Sequence, residues 1–216
     1  MATRRYEQRN RAVTAEQTRR KILDAMHERL RAAPAEALRV DVLAEAAGVA
    51  RSTVYTIFGS RTGLFEAFGR DLLDRTGFAR IVAAVQLPDA REALRASLRA
   101  ASEVYAAERE VARVLFSMSR LDPQAVAGAV ETIEHGRAEG MQHLARRLKD
   151  QGVLHPDTTV KEAADILWVL TSFETFDQLY TERGLATAAV TRRLLVIVER
   201  TLFAPLRADQ GEAHLV

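Results

Sequence analysis

Apolar residues return every three or four positions along most of the chain. Nowhere do they alternate singly with polar ones over the roughly four to eight residues that a half-buried strand needs. The first stripe, Ile22, Met26 and Leu30, predicts a helix from about Thr14 to Arg31. Thr14-Ala15-Glu16-Gln17 has the reciprocal capping pattern at its start, and Ala33-Pro34 turns the chain after it. Val40, Leu43, Ala44 and Ala47 predict a short second helix ended by Gly48, a residue that enters the left-handed backbone region without a Cβ clash. Val54 and Phe58, four apart with Val49 just ahead of them, predict a third helix. A fourth begins near Arg61 and carries Leu64, Phe65, Phe68 and Leu72 toward Val85.

Beyond Pro88 the same reasoning continues. Asp89-Ala90-Arg91-Glu92 is a capping box ahead of a face made by Leu94, Leu98, Ala101 and Tyr105, and a short apolar helix follows over about Val111 to Met118. Asp122-Pro123 sets a cap and a first-turn proline for a helix that runs to about Gln151, where Gly152 can end it. Thr159-Val160-Lys161-Glu162 caps a helix expected to reach Arg183 and stop at Gly184. The last helix is expected from Thr187 or Ala188 to Phe203, ahead of Pro205. The chain is thus read as all-α, with about nine helices and no repeat.

The third predicted helix buries Val54 and Phe58 and leaves Arg51, Ser52, Thr53, Tyr55 and Thr56 on its other face. Two short helices hinged at a glycine, the second with a face of hydrogen-bonding side chains, have the layout of a helix-turn-helix whose second member reads base edges. A plain surface helical hairpin has the same periodicity. What separates the two is the run Leu43-Ala44-Glu45-Ala46-Ala47-Gly48-Val49, with Thr53-Val54-Tyr55, Phe58-Gly59-Ser60-Arg61 and Leu64-Phe65. Together with Thr18-Arg19-Arg20-Lys21-Ile22-Leu23-Asp24-Ala25 upstream, it resembles the N-terminal signature of the tetracycline-repressor (TetR) family of transcriptional regulators. About sixty residues are in register. Three positions depart from that pattern: Arg39 stands where the family usually caps its second helix with Thr or Ser, Ala50 where it usually caps its third with Ser, and Ile57 where it often has His or Tyr near a phosphate. A lost cap costs on the order of 1 kcal/mol if nothing replaces it.

The resemblance implies a three-helix DNA-binding domain and a larger helical domain for ligand binding and dimerisation. On that division residues 1–13 are a flexible basic arm, 14–62 the helix-turn-helix domain, 63–204 the regulatory and dimerisation domain, and 205–216 a flexible tail. Arg51, Ser52 and Thr56 are the candidates for base edges, with Arg51 able to grip a guanine at two points. Tyr55, Thr53, Arg61, Ser60, Arg39 and Arg19 are the candidates for phosphates, and the arm arginines Arg4, Arg5, Arg9 and Arg11 join them.

Charge sharpens this reading. The whole chain carries a net +2, but residues 1–63 hold twelve Lys and Arg against seven Asp and Glu, while residues 64–216 hold nineteen against twenty-two. A basic block that coincides with the reader suits a phosphate-facing module. There is no cysteine, hence no disulfide frame and no thiolate chemistry, and no apolar run of the ~18 residues that would suggest a membrane span. Without the apolar run of a signal peptide, the expected location is the cytoplasm.

Two further expectations follow from the resemblance. The last two predicted helices carry Ile166, Val169, Leu170, Phe173, Phe176 and Tyr180, and Val190, Leu194, Ile197, Val198, Thr201 and Leu202, which is more than one interior stripe requires. They are expected to meet a second copy of the chain as a homodimer. A pocket for an unidentified small lipophilic effector is expected among the middle helices, with Phe78, Tyr105, Phe116, Met118, Met141, Trp168 and Phe173 as candidates, each of which is also an ordinary core side chain.

Enzyme motifs are absent, with no Gly-rich phosphate loop, nucleophile elbow or zinc-protease pattern, so no catalytic residue and no cofactor are assigned. Glu131, His135, Glu139 and His143 recur four apart on one helix face. That spacing can hold a metal, but it also describes a solvated face of mutually attracting side chains, and no metal is assigned to it. Two alternatives to a regulator remain at this stage: an all-helical small-molecule binding or scaffold protein with a vestigial reader, and a helical enzyme built on that stripe.

Overall fold

The structure, a computed structural model, describes residues 2–34, 36, 38–121 and 123–204; at 2–11, 123–125 and 127 it describes the backbone alone. Among the described residues there are eleven α-helices: α1 (Ala2–Ala32), α2 (Val40–Ala46), α3 (Arg51–Phe58), α4 (Arg61–Arg75), α5 (Phe78–Val85), α6 (Ala90–Ala107), α7 (Arg109–Leu121), α8 (Pro123–Asp150), α9 (Val160–Leu170), α10 (Phe173–Asp177) and α11 (Thr187–Leu202). A π-helical turn at Gln178–Glu182 follows α10. The described residues contain no strand, only a single antiparallel bridge between Leu154 and Phe203.

Three differences from the sequence reading have physical causes. First, α1 starts at Ala2 and not at Thr14, because no Gly or Pro interrupts the first 33 residues. Thr14 lies inside the helix and not at its start, its carbonyl accepting from the Thr18 hydroxyl at 2.9 Å. The arm arginines Arg4, Arg5, Arg9 and Arg11 therefore lie on helix, their side chains outside the described residues. The tail at 205–216 and the cap expected at Asp122 are also outside them.

Second, the fourth predicted helix is two. Thr76 closes α4, and Gly77, at φ +80°, takes a left-handed conformation that redirects the chain before α5. Third, the helix expected over Thr159–Arg183 breaks after Leu170. Ser172 restarts it as α10 by accepting from the Thr175 N–H at 3.1 Å. Side chains meet three successive carbonyls at the end of α9, two of which also take backbone bonds, Leu167 O from the Thr171 N–H at 2.9 Å and Val169 O from the Ser172 N–H at 3.3 Å. Thr171 Oγ1 donates to Leu167 O at 2.7 Å, Arg137 donates to Trp168 O, and Thr175 Oγ1 donates to Val169 O at 2.8 Å.

The other termini follow the capping chemistry. Asp89 Oδ1 accepts from the Glu92 N–H at 2.9 Å, and Thr159 with Glu162 forms the full reciprocal box on α9. Pro123 opens α8, and Gly152, at φ +65°, lies just beyond its end.

The chain forms two compact units, and the division falls inside α5, α6 and α8: residues 1–79 with 104–136, and residues 80–103 with 137–216. The core of the first unit joins Ile22, Met26 and Leu30 of α1 with Leu43, Val54, Phe58, Phe65 and Phe68, and with Val111, Leu115, Val126 and Ala129. Polar contacts fasten it as well. Asp71 of α4, only 7% exposed, accepts from Arg20 of α1 at 3.1 Å and from Arg75 Nε at 2.8 Å, and Arg75 also reaches Asp24 at 2.8 Å. Buried His27 shares a 2.8 Å hydrogen bond with Glu108. Glycines let α4 and α8 cross closely, since a Cβ on Gly69 would lie 2.8 Å from the Ala129 Cα.

In the second unit Ala90, Ala93 and Leu94 pack with Leu144, Leu148, Leu154, Leu167, Val198 and Leu202. Arg147 clasps the carbonyls of Val85, Leu87 and Pro88, and Arg95 bonds Glu199 at 2.7 Å.

Candidate nucleic-acid interface

The reader is built on a buried framework within the first unit. Leu43 and Ala44 of α2 and Val54 and Phe58 of α3 are buried, with Val40, Ala47 and Val49 packed beside them. Gly48 has φ +67°, and the turn around it is closed by Gly48 N donating to Glu45 O at 3.0 Å and Val49 N to Ala44 O at 2.9 Å. The chain thereby reverses in four residues and presents the far side of α3 outward.

Neither helix has the side-chain cap whose absence the sequence exposed. Arg39 and Ala50 are the N-cap residues of α2 and α3, and neither makes a capping hydrogen bond. Both helices form nonetheless, since tertiary packing supplies most of the stability of short helices. Ile57 is partly buried and packs against the core of the first unit.

The outward face gathers the expected groups. Arg51, Ser52, Tyr55 and Thr56 are exposed on α3, and Thr53 is half-buried beside them. The Arg51 guanidinium lies over the Tyr55 ring, 5.7 Å from its centroid, and the neighbouring Tyr55 hydroxyl raises its pKa further above the ordinary arginine value. Thr56 donates its hydroxyl to Ser52 O at 2.9 Å, which fixes the rotor and leaves the oxygen as an acceptor.

Three basic side chains frame this face. Arg61, at the start of α4, stacks over Phe65 at 5.6 Å, and Arg19 of α1 stacks over Phe58 at 5.3 Å. Arg39 is exposed at the start of α2 and engages Asp41 through two hydrogen bonds, Nε to Oδ1 at 3.1 Å and Nη2 to Oδ2 at 2.5 Å. Ser60 caps α4 by accepting from the Gly63 N–H at 3.0 Å, which leaves its own hydroxyl hydrogen available to a phosphate oxygen.

The junction between α3 and α4 depends on Gly63. A Cβ there would stand 2.2 Å from the Phe58 carbonyl oxygen, so the first turn of α4 passes directly against the last residue of α3. Sequence periodicity does not register this contact. Asp71 and His27 were missed as well, although a charged or polar residue within an apolar stripe, here beside Phe68 and Leu72 or between Leu23 and Leu30, is the available signal for a buried partner.

The effector candidates divide between the units. Phe116 is buried and Phe78, Tyr105 and Met118 are half-buried in the first; Met141 and Phe173 are buried in the second. Met118 packs in the first unit's core, and Met141 Sδ lies 3.5 Å from the Thr171 hydroxyl. Trp168 is not interior. It is 43% exposed on the outer side of α9, with the Arg137 guanidinium 4.8 Å from its ring. Glu131, His135, Glu139 and His143 all lie exposed on α8, and among the described residues no three His, Cys, Asp or Glu side chains converge on a metal position. No helix among the described residues is long and apolar enough to cross a membrane.

Residues 22–68 match the family model described as bacterial regulatory proteins, tetR family. The fold is similar to that of NalD, the secondary repressor of the MexAB-OprM multidrug efflux pump in Pseudomonas aeruginosa. That likeness has a TM-score of 0.66 and 22% identity, over 88% of this chain and 98% of the other. PfmR, a TetR-family transcriptional regulator of Thermus thermophilus, is similar with a TM-score of 0.61 and 20% identity, over 83% of this chain and 97% of the other. A protein of unknown function from a Rhodococcus species reaches a TM-score of 0.67 at 21% identity, over 87% and 96% of the two chains. No curated protein matches the chain in sequence. At these identities the solved structures establish the fold.

Proposed function

We propose, from the match of residues 22–68 to the model of bacterial regulatory proteins of the tetR family, that the chain is a DNA-binding transcriptional regulator. From that premise we propose that it acts as a homodimeric repressor, holding an inverted-repeat operator until a small lipophilic effector releases it. The observation that carries the reading is the outward face of α3, where Arg51, Ser52, Tyr55 and Thr56 stand exposed over buried Val54 and Phe58. Arg51, Ser52 and Thr56 are assigned to base edges, and Tyr55, Thr53, Arg61, Ser60, Arg39 and Arg19 to phosphates. Phosphate contacts set register and affinity, whereas base-edge contacts select sequence.

Dimerisation is supported by an apolar face that this chain leaves open. On α11, Val190, Leu194, Val198 and Leu202 are buried, but Val196 and Ile197 are 42% and 45% exposed. On α9, Leu167 is buried while Trp168 and Val169 point outward. A second copy packed on these faces would set two readers on half-sites roughly 34 to 36 Å apart, one helical turn of DNA. NalD is a repressor, and repression is proposed for this chain on that likeness of fold. Release needs an effector that binds the non-DNA-bound state more tightly. Phe78, Tyr105, Phe116 and Met118 of the first unit, or Met141 and Phe173 of the second, are its candidate contacts.

Competition band shifts test the assignment of roles. Arg51→Ala is expected to cost ~1 to 3 kcal/mol and to relax sequence choice, while Arg61→Ala weakens all sequences alike and flattens the salt dependence. Unchanged sequence preference in Arg51→Ala would remove Arg51 from the base-reading set.

A further inference from the structure

The N-cap position of α2 holds an arginine whose charge is already taken. Arg39 uses Nε and Nη2 to grip both oxygens of Asp41, and both side chains are largely open to solvent, 68% and 45% exposed. Two parallel N–H···O bonds to one oxyanion are also the geometry in which a guanidinium takes two phosphate oxygens. The carboxylate of Asp41 therefore occupies the edge of Arg39 that would hold a phosphate best. The pair has no packing function that would account for it: neither residue belongs to the core of the first unit, and Arg39 makes no capping bond to α2.

The pair stands at the start of α2, the helix that packs against α3. Both of its charges act on Arg51, Asp41 raising its pKa and Arg39 lowering it, which sets the fork within electrostatic reach of the base-reading helix. Bonded to Arg39, Asp41 is held below the usual carboxylate range, so it stays ionised at neutral pH. As a pair the two residues carry no net charge. They displace no counterion from DNA until they part.

We propose that Asp41 is an affinity-setting residue of the reader, an internal competitor that stands in for phosphate on Arg39 and so weakens the protein's grip on DNA of any sequence. This deepens the DNA-binding reading and rests on it. An exposed ion pair is weak enough for a phosphate to displace, at a cost of up to about fivefold in affinity. The effect is independent of sequence, because only a backbone contact is involved. Its benefit is selectivity: a reader with less charge-driven affinity spends less time on non-specific sites.

The test uses the full chain, a random-sequence duplex and the duplex flanking the protein's own gene, with affinities measured by fluorescence anisotropy across salt. Asp41→Asn keeps the shape and removes the charge. It is expected to bind both duplexes up to about fivefold more tightly, with a salt slope close to the parent's, because the same phosphate contact forms in both proteins. In the Arg39→Ala background the same substitution is expected to change affinity very little, because its competitor role needs Arg39. An equal gain in that background would reduce Asp41 to bulk negative charge and overturn the proposal. Weaker binding by Asp41→Asn would also overturn it, since Asp41 would then be aiming Arg39 at the phosphate. If the unsubstituted protein binds neither duplex in a salt-dependent way, it is the DNA-binding reading that fails, and the two failures are distinguishable.

Discussion

Replacing Gly63 with alanine tests whether the seam between α3 and α4 sets the reader's geometry. On helix propensity alone the change should stabilise α4 by about 0.8 to 1 kcal/mol, because glycine is the poorest helix former after proline. The structure predicts the opposite sign. The new Cβ would meet the Phe58 carbonyl oxygen at 2.2 Å, against ordinary contact from 3.4 Å, so the two backbones must part by more than an ångström. The obstacle is a carbonyl, and no side-chain rotamer can relieve it. Phe58 and Leu64 are both buried on either side of the seam, so movement there opens packed core. Overpacking of this kind costs ~1 to 3 kcal/mol, and the cost falls on a contact that ties α3 to the rest of the domain.

The net expectation is a loss of up to ~2 kcal/mol, or a fall in melting temperature of up to roughly 8 °C for a chain of this size. Affinity for specific DNA should drop by about tenfold or more, since base contacts tolerate little misplacement. Thermal melts and anisotropy on the same preparations give both values. A variant as stable as the parent, or more so, with unchanged DNA affinity would refute the reasoning, because propensity would then have outweighed the contact.

The charge cluster between α1 and α4 gives a second prediction. Asp71→Asn leaves Arg20 and Arg75 without their shared, nearly buried carboxylate, and the loss should be ~1.5 to 3 kcal/mol by urea titration, with Asp24→Asn costing less because Asp24 is half exposed. A third concerns assembly. Ile197→Glu places a charge on the open face of α11, away from the buried Val198 and Leu202, and should shift a dimer toward monomer in sedimentation without lowering the helical signal. An unchanged oligomeric state would relocate the interface.

The reader was legible because its signals are local. The spacing of Leu43, Ala47, Val54 and Phe58 and the glycine at 48 fix two helices and a turn within twenty residues, and all of them lie where periodicity set them. Capping chemistry marked most later termini, as at Thr159 and Asp89, where the cap bonds its own helix. It failed at Thr14, because a capping pattern within an uninterrupted run of helix formers has nothing to terminate. The break after Leu170 was hidden for the converse reason. The carbonyls at the end of α9 are met by Arg137, more than thirty residues away, and by Thr171 and Thr175, whose hydroxyls signal nothing until the helix has broken.

Side-chain partnerships across the fold were beyond local pattern. Asp71 with Arg20, and His27 with Glu108, join residues fifty or more positions apart. Trp168 shows the limit from the other direction. An aromatic at helical spacing was read as a pocket candidate, but α9 already buries Ala163 and Leu167, and the neighbouring indole falls on the outer side under Arg137. Arg39 departs from the family's capping residue in sequence, and only its geometry reveals that Asp41 holds it.

The central claim, that the exposed face of α3 reads DNA, is tested most directly by footprinting the full chain on the DNA flanking its own gene while salt is raised from about 50 to 200 mM. The account predicts a protected inverted repeat with half-sites one helical turn apart, and binding that falls by roughly 10³-fold or more across that range if six or more phosphates are contacted. Affinity that does not change with salt, or protection with no two-fold pattern on any segment, would contradict it.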